Sequence, residues 1–128
     1  MAIIDFPGPP AVNGYSHAGV VAPGSRLIHT SGQVAIDADG GIPDGWEDQT
    51  RLVFRNLGDV LASAGAGWAD VVKLTYFVTG TSELVTVRRV RDEFVDVTRP
   101  PASSLVQVAG LFRPGLLIEV EAVAAVAA

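Results

Sequence analysis

The stretch LLIEVEAVAAV at residues 116–126 begins with a clear alternation of apolar and acidic side chains. Ile118, Val120 and Ala122 fall on one side of an extended chain, and Glu119 and Glu121 fall on the other side. Alternation of this kind is typical of a strand with one buried face. The stretch therefore predicts a sheet with an apolar face that other elements cover and a second face that carries two carboxylates.

The rest of the chain supplies the elements that would cover such a sheet. A helical period runs from about Glu47 to Ala64 and ends at Gly65, a natural C-terminal cap, and a second helical pattern covers residues 83–96. Further strands are predicted at residues 17–22, 26–34, 70–79 and 102–109, with a hairpin turn at Pro23-Gly24-Ser25 and an irregular arm over residues 1–16. The order β-β-α-β-α-β-β predicts an α+β fold with two helices on one face of a mixed sheet.

Composition restricts the class of protein. The 128 residues suit a single domain, 1–128, and the absence of cysteine excludes disulfides, thiolate nucleophiles and cysteine-bound zinc. The net charge is −5 and no basic stripe is visible, so no nucleic-acid partner is expected. We find neither an apolar run of membrane-spanning length nor a signal sequence, and we expect a cytoplasmic protein without membrane contact. No phosphate loop, dinucleotide fingerprint or metal-ligand spacing occurs, so no cofactor and no metal are expected.

Four short segments follow one another in a fixed order along the chain. They are Asn13–His17 (NGYSH), Thr30–Gln33 (TSGQ), Arg99–Ser104 (RPPASS) and Ile118–Ala122 (IEVEA). Together they resemble the reactive intermediate deaminase family, also called Rid or YjgF-like proteins. The resemblance implies a chorismate-mutase-like fold, a homotrimer with small-molecule sites in the clefts between subunits, and hydrolysis of imines or enamines with release of ammonia. Some such proteins carry an endoribonuclease label, to which the acidic charge balance gives no support.

Glu119 and Tyr15 are the candidate catalytic residues. A carboxylate on a sheet face can act as a general base or hold a water molecule, and the resemblance assigns Glu119 to the attacking water. The resemblance also places Tyr15, Ser31 and Gly32 in the cleft wall. It implies that the main-chain carbonyl of Leu105 accepts a hydrogen bond from the substrate nitrogen. The residues alone leave other interpretations open: Glu119 as a solvated surface group, Tyr15 as an anchor for the arm, and Gly32 as a strand bulge.

Ser103 stands where family members that hydrolyse 2-imino acids have an arginine for the substrate carboxylate. Serine is neutral and offers at most one weak hydrogen bond in place of a bidentate, charge-assisted pair. Loss of one partner of a desolvated pair costs about 2–5 kcal/mol, or roughly 30- to 3000-fold in binding. We therefore expect simple 2-imino acids to be poor substrates unless Arg88, Arg91 or Arg113 replaces the cation. The resemblance places Arg88 near a position where many relatives have an asparagine close to the cleft. Each of the three arginines could instead be a solvated surface charge.

Hypotheses from different functional classes follow. The first is a hydrolase of reactive imines or enamines that uses no cofactor and whose substrate differs from the usual 2-imino acids. The second is a non-catalytic homotrimer that binds a small metabolite in the same clefts, and a third is a protein-interaction role on the trimer surface. The predicted substrate-binding residues of the first hypothesis are Ser31, Gly32, Arg88, Ser103 and Leu105.

Overall fold

Two α-helices pack on one face of a mixed sheet in the computed structural model, which describes residues 3–11 and 13–128. This arrangement confirms the predicted α+β class. The helices are α1 (Trp46–Ser63) and α2 (Leu84–Arg91). The strands are β1 (Ile4–Asp5), β2 (Val20–Val21), β3 (Arg26–His29), β4 (Gln33–Val34), β5 (Val71–Val78), β6 (Ala102–Gln107) and β7 (Ile118–Val126), and a 3₁₀ turn at Trp68–Asp70 leads into β5.

The main sheet is organised around β7. Its strand order is β3-β7-β5-β6, with β4 also paired to β7. β7 runs antiparallel to β3, β4 and β5, whereas β5 and β6 are parallel. Parallel neighbours need a crossover connection, and α2 supplies it. Because α2 connects β5 to β6, it lies over the sheet face onto which Ser103 and Leu105 of β6 project.

The predicted period of α1 is confirmed by its burial. Val53, Phe54, Leu57 and Leu61 have no solvent exposure and form the centre of the core between α1 and the sheet. The helix ends just before Gly65, which has φ 83° and so adopts the left-handed conformation that favours glycine. Among the described residues, no helix combines the length and the apolar character that a membrane crossing requires.

The predicted hairpin between residues 17–22 and 26–34 is wrong. Gly24 has φ 80°, as a tight turn there requires, but the two flanking segments do not pair with each other. Val20–Val21 pairs instead with Ile4–Asp5 of the arm, in a separate two-stranded sheet. The pairing of Ile4–Asp5 with Val20–Val21 is stabilised because Ile4 is buried against Val72 and Ala125. The sequence had suggested an irregular arm over residues 1–16, but the arm contains the strand Ile4–Asp5.

Two other predicted elements are interrupted or shortened. The segment 26–34 is split, because His29 opposes Val123 and Gln33 opposes Val120, which leaves one residue too many between β3 and β4. The extra residue makes the bulge that was the alternative interpretation of Gly32. The second helix covers only Leu84–Arg91, and turns follow it up to Pro100.

The sheet has one covered face and one open face, as the alternation in β7 predicted. Ile118, Val120 and Ala122 are buried beneath the helices, whereas Glu119 and Glu121 are half-buried on the opposite face.

The open face also presents apolar side chains. Leu27 is 55% exposed and Val106 is 45% exposed, and Phe77 and Val123 are half-buried there. Apolar side chains beside carboxylates on an uncovered sheet face are a candidate contact surface for another protein molecule.

Candidate functional site

A cavity of about 260 Å³ lies between β5, β6, α2 and the arm. Four residues that the sequence singled out lie in its wall: Tyr15, Arg88, Ser103 and Leu105. Its volume suits a small metabolite. The remaining lining residues are Asn13, Tyr76, Leu84, Val87 and Arg91.

The strand register explains why Ser103 and Leu105 reach this cavity. On the parallel pair, Ser103 lies beside Leu74 and Leu105 beside Tyr76. Neighbouring residues in register share a face of the sheet, and both Leu74 and Tyr76 are buried on the helix side. Ser103 and Leu105 therefore project toward the layer that contains α2, where the cavity lies.

The arm brings Tyr15 to the same place. The backbone N–H of Ser16 donates a 3.0 Å hydrogen bond to the carbonyl of Pro101, and the Ser16 hydroxyl donates a 2.6 Å bond to the carbonyl of Pro100. These two bonds fix the arm beside the start of β6. Asn13 and Gly14 precede them with φ 52° and 77°, so the chain turns sharply just before Tyr15 enters the cavity wall.

The arginines of α2 form the charged side of the cavity. Arg91 is buried, with 8% exposure, and its Nε donates a 3.0 Å hydrogen bond to Asp92 Oδ1. Its guanidinium packs so closely on Gly14 that a Cβ there would overlap it. Arg88 is exposed and makes no ion pair within residues 3–11 and 13–128. Arg113 lies on a distant loop, where it donates a 3.4 Å hydrogen bond to the carbonyl of Gly40.

Tyr76 is a cavity residue that the sequence analysis missed. Its hydroxyl is buried and has no hydrogen-bond partner among the described residues. Burial raises the pKa of this phenol, and the nearby Arg91 charge opposes that effect. The hydroxyl is therefore protonated and available as a donor. Alternation along the predicted strand at residues 70–79 puts Tyr76 on one face with Leu74 and Val78, but it gives no sign that a cavity meets the tip of this side chain.

Ser31, Gly32 and Glu119 form a second, separate cluster. Gly32 lies in the bulge opposite β7, and a Cβ there would come within 2.7 Å of Glu119 Cδ. The missing side chain of Gly32 thus leaves the space that the Glu119 carboxylate occupies. Ser31 is exposed beside it, and its carbonyl accepts a 3.3 Å hydrogen bond from the Gln33 side chain.

The two clusters lie on opposite faces of the sheet. Glu119 opposes Phe77 on β5, on the open face, whereas Ser103 and Leu105 project to the helix side. A single protomer therefore brings together Tyr15 with Ser103 and Leu105, but it does not bring them together with Glu119. The cavity can hold a small ligand with an anionic group, and the open-face cluster can offer a carboxylate to a water molecule or a cation.

Fold and site define the class as a small two-layer α+β protein with a metabolite-sized cavity beside its parallel strand pair. The family described as Endoribonuclease L-PSP matches residues 7–126, nearly the whole chain. The chain belongs to this family, that of the reactive intermediate deaminases or Rid proteins.

Individual relatives agree with this assignment. A RutC family protein of Synechocystis is 34% identical over 97% of this chain and 95% of its own length. The 2-iminobutanoate/2-iminopropanoate deaminase of Rattus norvegicus is 33% identical over 91% of this chain and 82% of its own length.

Solved structures give the same answer for the fold. A conserved Rid family protein of Yersinia pestis superimposes with a TM-score of 0.82 and 31% identity, covering 98% of this chain and 100% of that one. Escherichia coli TdcF with bound serine superimposes with a TM-score of 0.73 and 32% identity, covering 99% and 100% of the two chains. The predicted fold and family resemblance are thereby confirmed.

Proposed function

We propose that this protein hydrolyses a reactive imine or enamine and releases ammonia. The observation that carries the proposal is the open-face carboxylate of Glu119, seated in the space left by Gly32. A deaminase needs a group that holds and deprotonates water, and a carboxylate in a fixed position is suited to that task. Relatives named as 2-imino acid deaminases, at 33% identity or more, support the reaction type.

The reaction requires only water as co-reactant. Glu119 accepts a proton from the water as its oxygen bonds to the carbon of the C=N group. The Glu119 carboxylic acid then gives that proton to the nitrogen, which leaves a carbinolamine. The carbinolamine hydroxyl passes its proton to the amine by way of Glu119, the C–N bond breaks, and a carbonyl compound and ammonia are released. An enamine would first tautomerise to its imine. The main-chain carbonyl of Leu105 would accept a hydrogen bond from the substrate nitrogen, while Tyr15 and Ser31 would shape the pocket around the substrate.

The proposed site forms between copies of the chain in a homotrimer. Within one protomer, Glu119 lies on the open face and Leu105 projects from the other, so one chain cannot present both to the same substrate. A second copy seated on the open face, which carries the exposed Leu27 and Val106, would cover that apolar surface and complete the cleft.

The substrate is proposed to differ from the usual 2-imino acids because Ser103 supplies no positive charge. The side chain is half-buried in the cavity wall and makes no hydrogen bond within the described residues. A single neutral hydroxyl cannot replace the two parallel charged bonds of an arginine. Simple 2-imino acids should therefore bind less well than in a relative with arginine at this position.

The deciding experiment measures ammonia release from freshly generated 2-imino acids. Wild type, Ser103→Arg and Glu119→Gln are compared, and the native mass of each is checked. We expect low wild-type turnover, a gain in Ser103→Arg, and loss of turnover in Glu119→Gln without a change of mass. Unchanged turnover in Glu119→Gln would show that this carboxylate takes no part in the mechanism. If neither wild type nor Ser103→Arg releases ammonia, the result would count against a deaminase.

A ligand-binding protein without catalysis is the second candidate. The observation that favours it is the cavity itself, which holds two arginines and Tyr76 on the face of the sheet away from Glu119. Such a protein would bind its ligand as tightly after Glu119→Gln as before. Calorimetric binding of a metabolite without ammonia release from any of the imines tested would separate this function from hydrolysis.

A further inference from the structure

The charge of the cavity is positive on the side formed by α2. Arg88 and Arg91 both line it, and among residues 3–11 and 13–128 no aspartate or glutamate does, although Asp92 pairs with Arg91 from outside the lining. Low-dielectric walls concentrate such a field and favour an anion. Ser103, at the position where the family resemblance places an arginine, contributes no charge. The positive charge of the cavity therefore comes from α2 rather than from β6.

Arg91 is held in place rather than free in solvent. Asp92 engages Nε and Nη2 through the same oxygen, Oδ1, at 3.0 Å each, and Gly14 packs against the guanidinium from the arm. A guanidinium has five N–H donors, and Nη1 has no acceptor among the described residues. Fixed on two sides and unpaired on the third, Arg91 is arranged to receive an anionic group with little loss of side-chain entropy.

Tyr76 supplies an independent sign of a missing ligand. The residue is 3% exposed and lines the cavity, and its hydroxyl has no partner within residues 3–11 and 13–128. An unpaired buried hydroxyl is costly, and native structures seldom contain one without a reason. A ligand oxygen beside Arg91 would satisfy it.

We propose that Arg91 and the Tyr76 hydroxyl bind the carboxylate of an organic acid, with Arg88 at the exposed side of the cavity. The short carbon chain of the acid would contact the apolar residues Leu84, Val87 and Leu105. For catalysis, this inference rests on the proposed function. The substrate would then be an imine or enamine that bears a carboxylate, and Arg91 of α2 would hold that carboxylate. The anion subsite would then lie on α2, whereas the family resemblance places it on β6.

The test measures binding rather than turnover, so that it does not depend on the reaction. Calorimetric titration compares 4-oxopentanoate, a short organic acid with a carbonyl in place of the imine, with its uncharged amide. We expect the acid to bind wild type more tightly than the amide. Tyr76→Phe and Arg91→Gln should each weaken acid binding roughly 10- to 100-fold, because each removes a hydrogen bond to a charged group. Arg91→Lys, which keeps the charge, should retain part of the affinity.

Arg55→Gln is the matched control, since Arg55 is an exposed arginine of α1 outside this cavity. Equal binding of acid and amide, no binding of either, or unchanged acid binding in Tyr76→Phe would overturn the proposal. Tyr76→Phe keeps the aromatic ring in the core and decides the question even where Arg91→Gln fails to fold. Selective acid binding without ammonia release from any imine would uphold the subsite and reject the hydrolase. Hydrolysis of an imine together with equal binding of acid and amide would uphold the hydrolase and reject the subsite.

Discussion

Gly32 determines where the Glu119 carboxylate can lie. Its φ is outside the left-handed region, so the position tolerates other residues as far as the backbone is concerned. The restriction comes from space, because a Cβ would approach Glu119 Cδ to 2.7 Å and overlap the carboxylate beyond it. The carboxylate ends a flexible side chain and can move away, so the position affects the site more than the fold.

Gly32→Ala should reduce turnover with little effect on stability. The added methyl group displaces the carboxylate from its seat, and small displacements of a catalytic group commonly cost about 100-fold in rate. The unfolding free energy should change by less than about 1 kcal/mol, since only a flexible side chain has to shift. Ammonia release and thermal unfolding measure the two effects separately.

Gly110→Ala provides the control for that substitution. A Cβ at Gly110 meets nothing within 4 Å, and the residue needs no positive φ. Its turnover and melting temperature should match wild type. Full activity in Gly32→Ala would mean that the carboxylate position seen here is not the one that catalysis uses.

At the scale of single residues, the sequence predicted some site members for a physical reason and missed others. The alternation in β7 was sufficient to put Glu119 on the open face, because side chains of a strand must alternate. Alternation in β5 could not reveal that Tyr76 lines a cavity, since alternation reports the face of the sheet and not what lies above it. The pairing of Arg91 with Gly14 joins α2 to the arm, and no local pattern predicts such a long-range contact.

The elements are tied together at Gln49, a buried polar residue of α1. Its Nε2 donates to the carbonyls of Pro43 at 3.1 Å and Gly115 at 2.7 Å, and its Oε1 accepts from the Leu117 N–H at 2.8 Å. One side chain thus holds the loop before α1 and the loop before β7. This arrangement fixes the start of the strand that carries Glu119.

Gln49→Leu should lower the unfolding free energy by about 2–3 kcal/mol, because three hydrogen bonds are lost and backbone groups are left unpaired. Chemical denaturation gives the value. Gln107→Leu serves as the control, since Gln107 is exposed and its side chain makes no hydrogen bond within the described residues; a change within about 0.5 kcal/mol is expected there. Equal effects of the two substitutions would show that the Gln49 bonds add nothing to stability.

The helices are also joined by an exposed ion-pair network. Arg51 contacts Glu93 at 2.6 Å and Glu47 at 3.3 Å, and Arg89 contacts Glu47 at 2.6 Å. Hydrogen bonds from Arg89 and Arg51 lower the pKa of Glu47, and the bond from Arg51 lowers the pKa of Glu93. The network links α1 to α2 and so helps to hold the helix that lines the cavity.

Removal of Arg51 should destabilise the protein at neutral pH but much less in acid. Because the folded pKa values lie below the ordinary value of 4.5, the stabilisation is present above that pH and is lost as pH falls through the lowered values. Melting temperatures of wild type and Arg51→Gln should differ at pH 7 and converge as the pH falls below the lowered pKa values. Arg26→Gln, an exposed change on β3, should show no such convergence; a pH-independent difference for Arg51→Gln would contradict the network's role.

At the scale of elements, the sequence predicted where helices and strands occur better than it predicted their partners. The period of α1 and the strands β5, β6 and β7 follow from local pattern. The pairing of β2 with β1 does not, because the apolar contact of Ile4 with Val72 and Ala125 is made across the chain. The predicted turn at Gly24 is present, but the strands on either side of it do not pair with each other.

The whole molecule divides its candidate site between two faces of one sheet. Tyr15 and Leu105 lie with the helix-side cavity, and Glu119 lies on the open face with Gly32. If both sets act on one substrate, each working site must combine the cavity of one copy with the carboxylate of another. This requirement separates the proposed assembly from a site contained within one protomer.

Mixed assemblies test this division. Glu119→Gln removes the carboxylate, and Leu105→Trp places a bulky indole that obstructs the cavity of about 260 Å³, so neither variant should be active alone. When the two are unfolded together and refolded as mixed oligomers, some interfaces receive an intact half from each chain type. Each half is intact with a probability of one half, so about a quarter of the wild-type activity should return.

A mixture of Glu119→Gln with Glu119→Ala is the control, since both chains lack the same half and no interface can be restored. Native mass spectrometry establishes that mixed assemblies have formed before activity is compared. Recovery in the first mixture together with none in the control requires that residues of two chains meet at one substrate. No recovery in assemblies shown to be mixed would mean that the cavity and the carboxylate work apart, and the cavity would then be a binding site independent of Glu119.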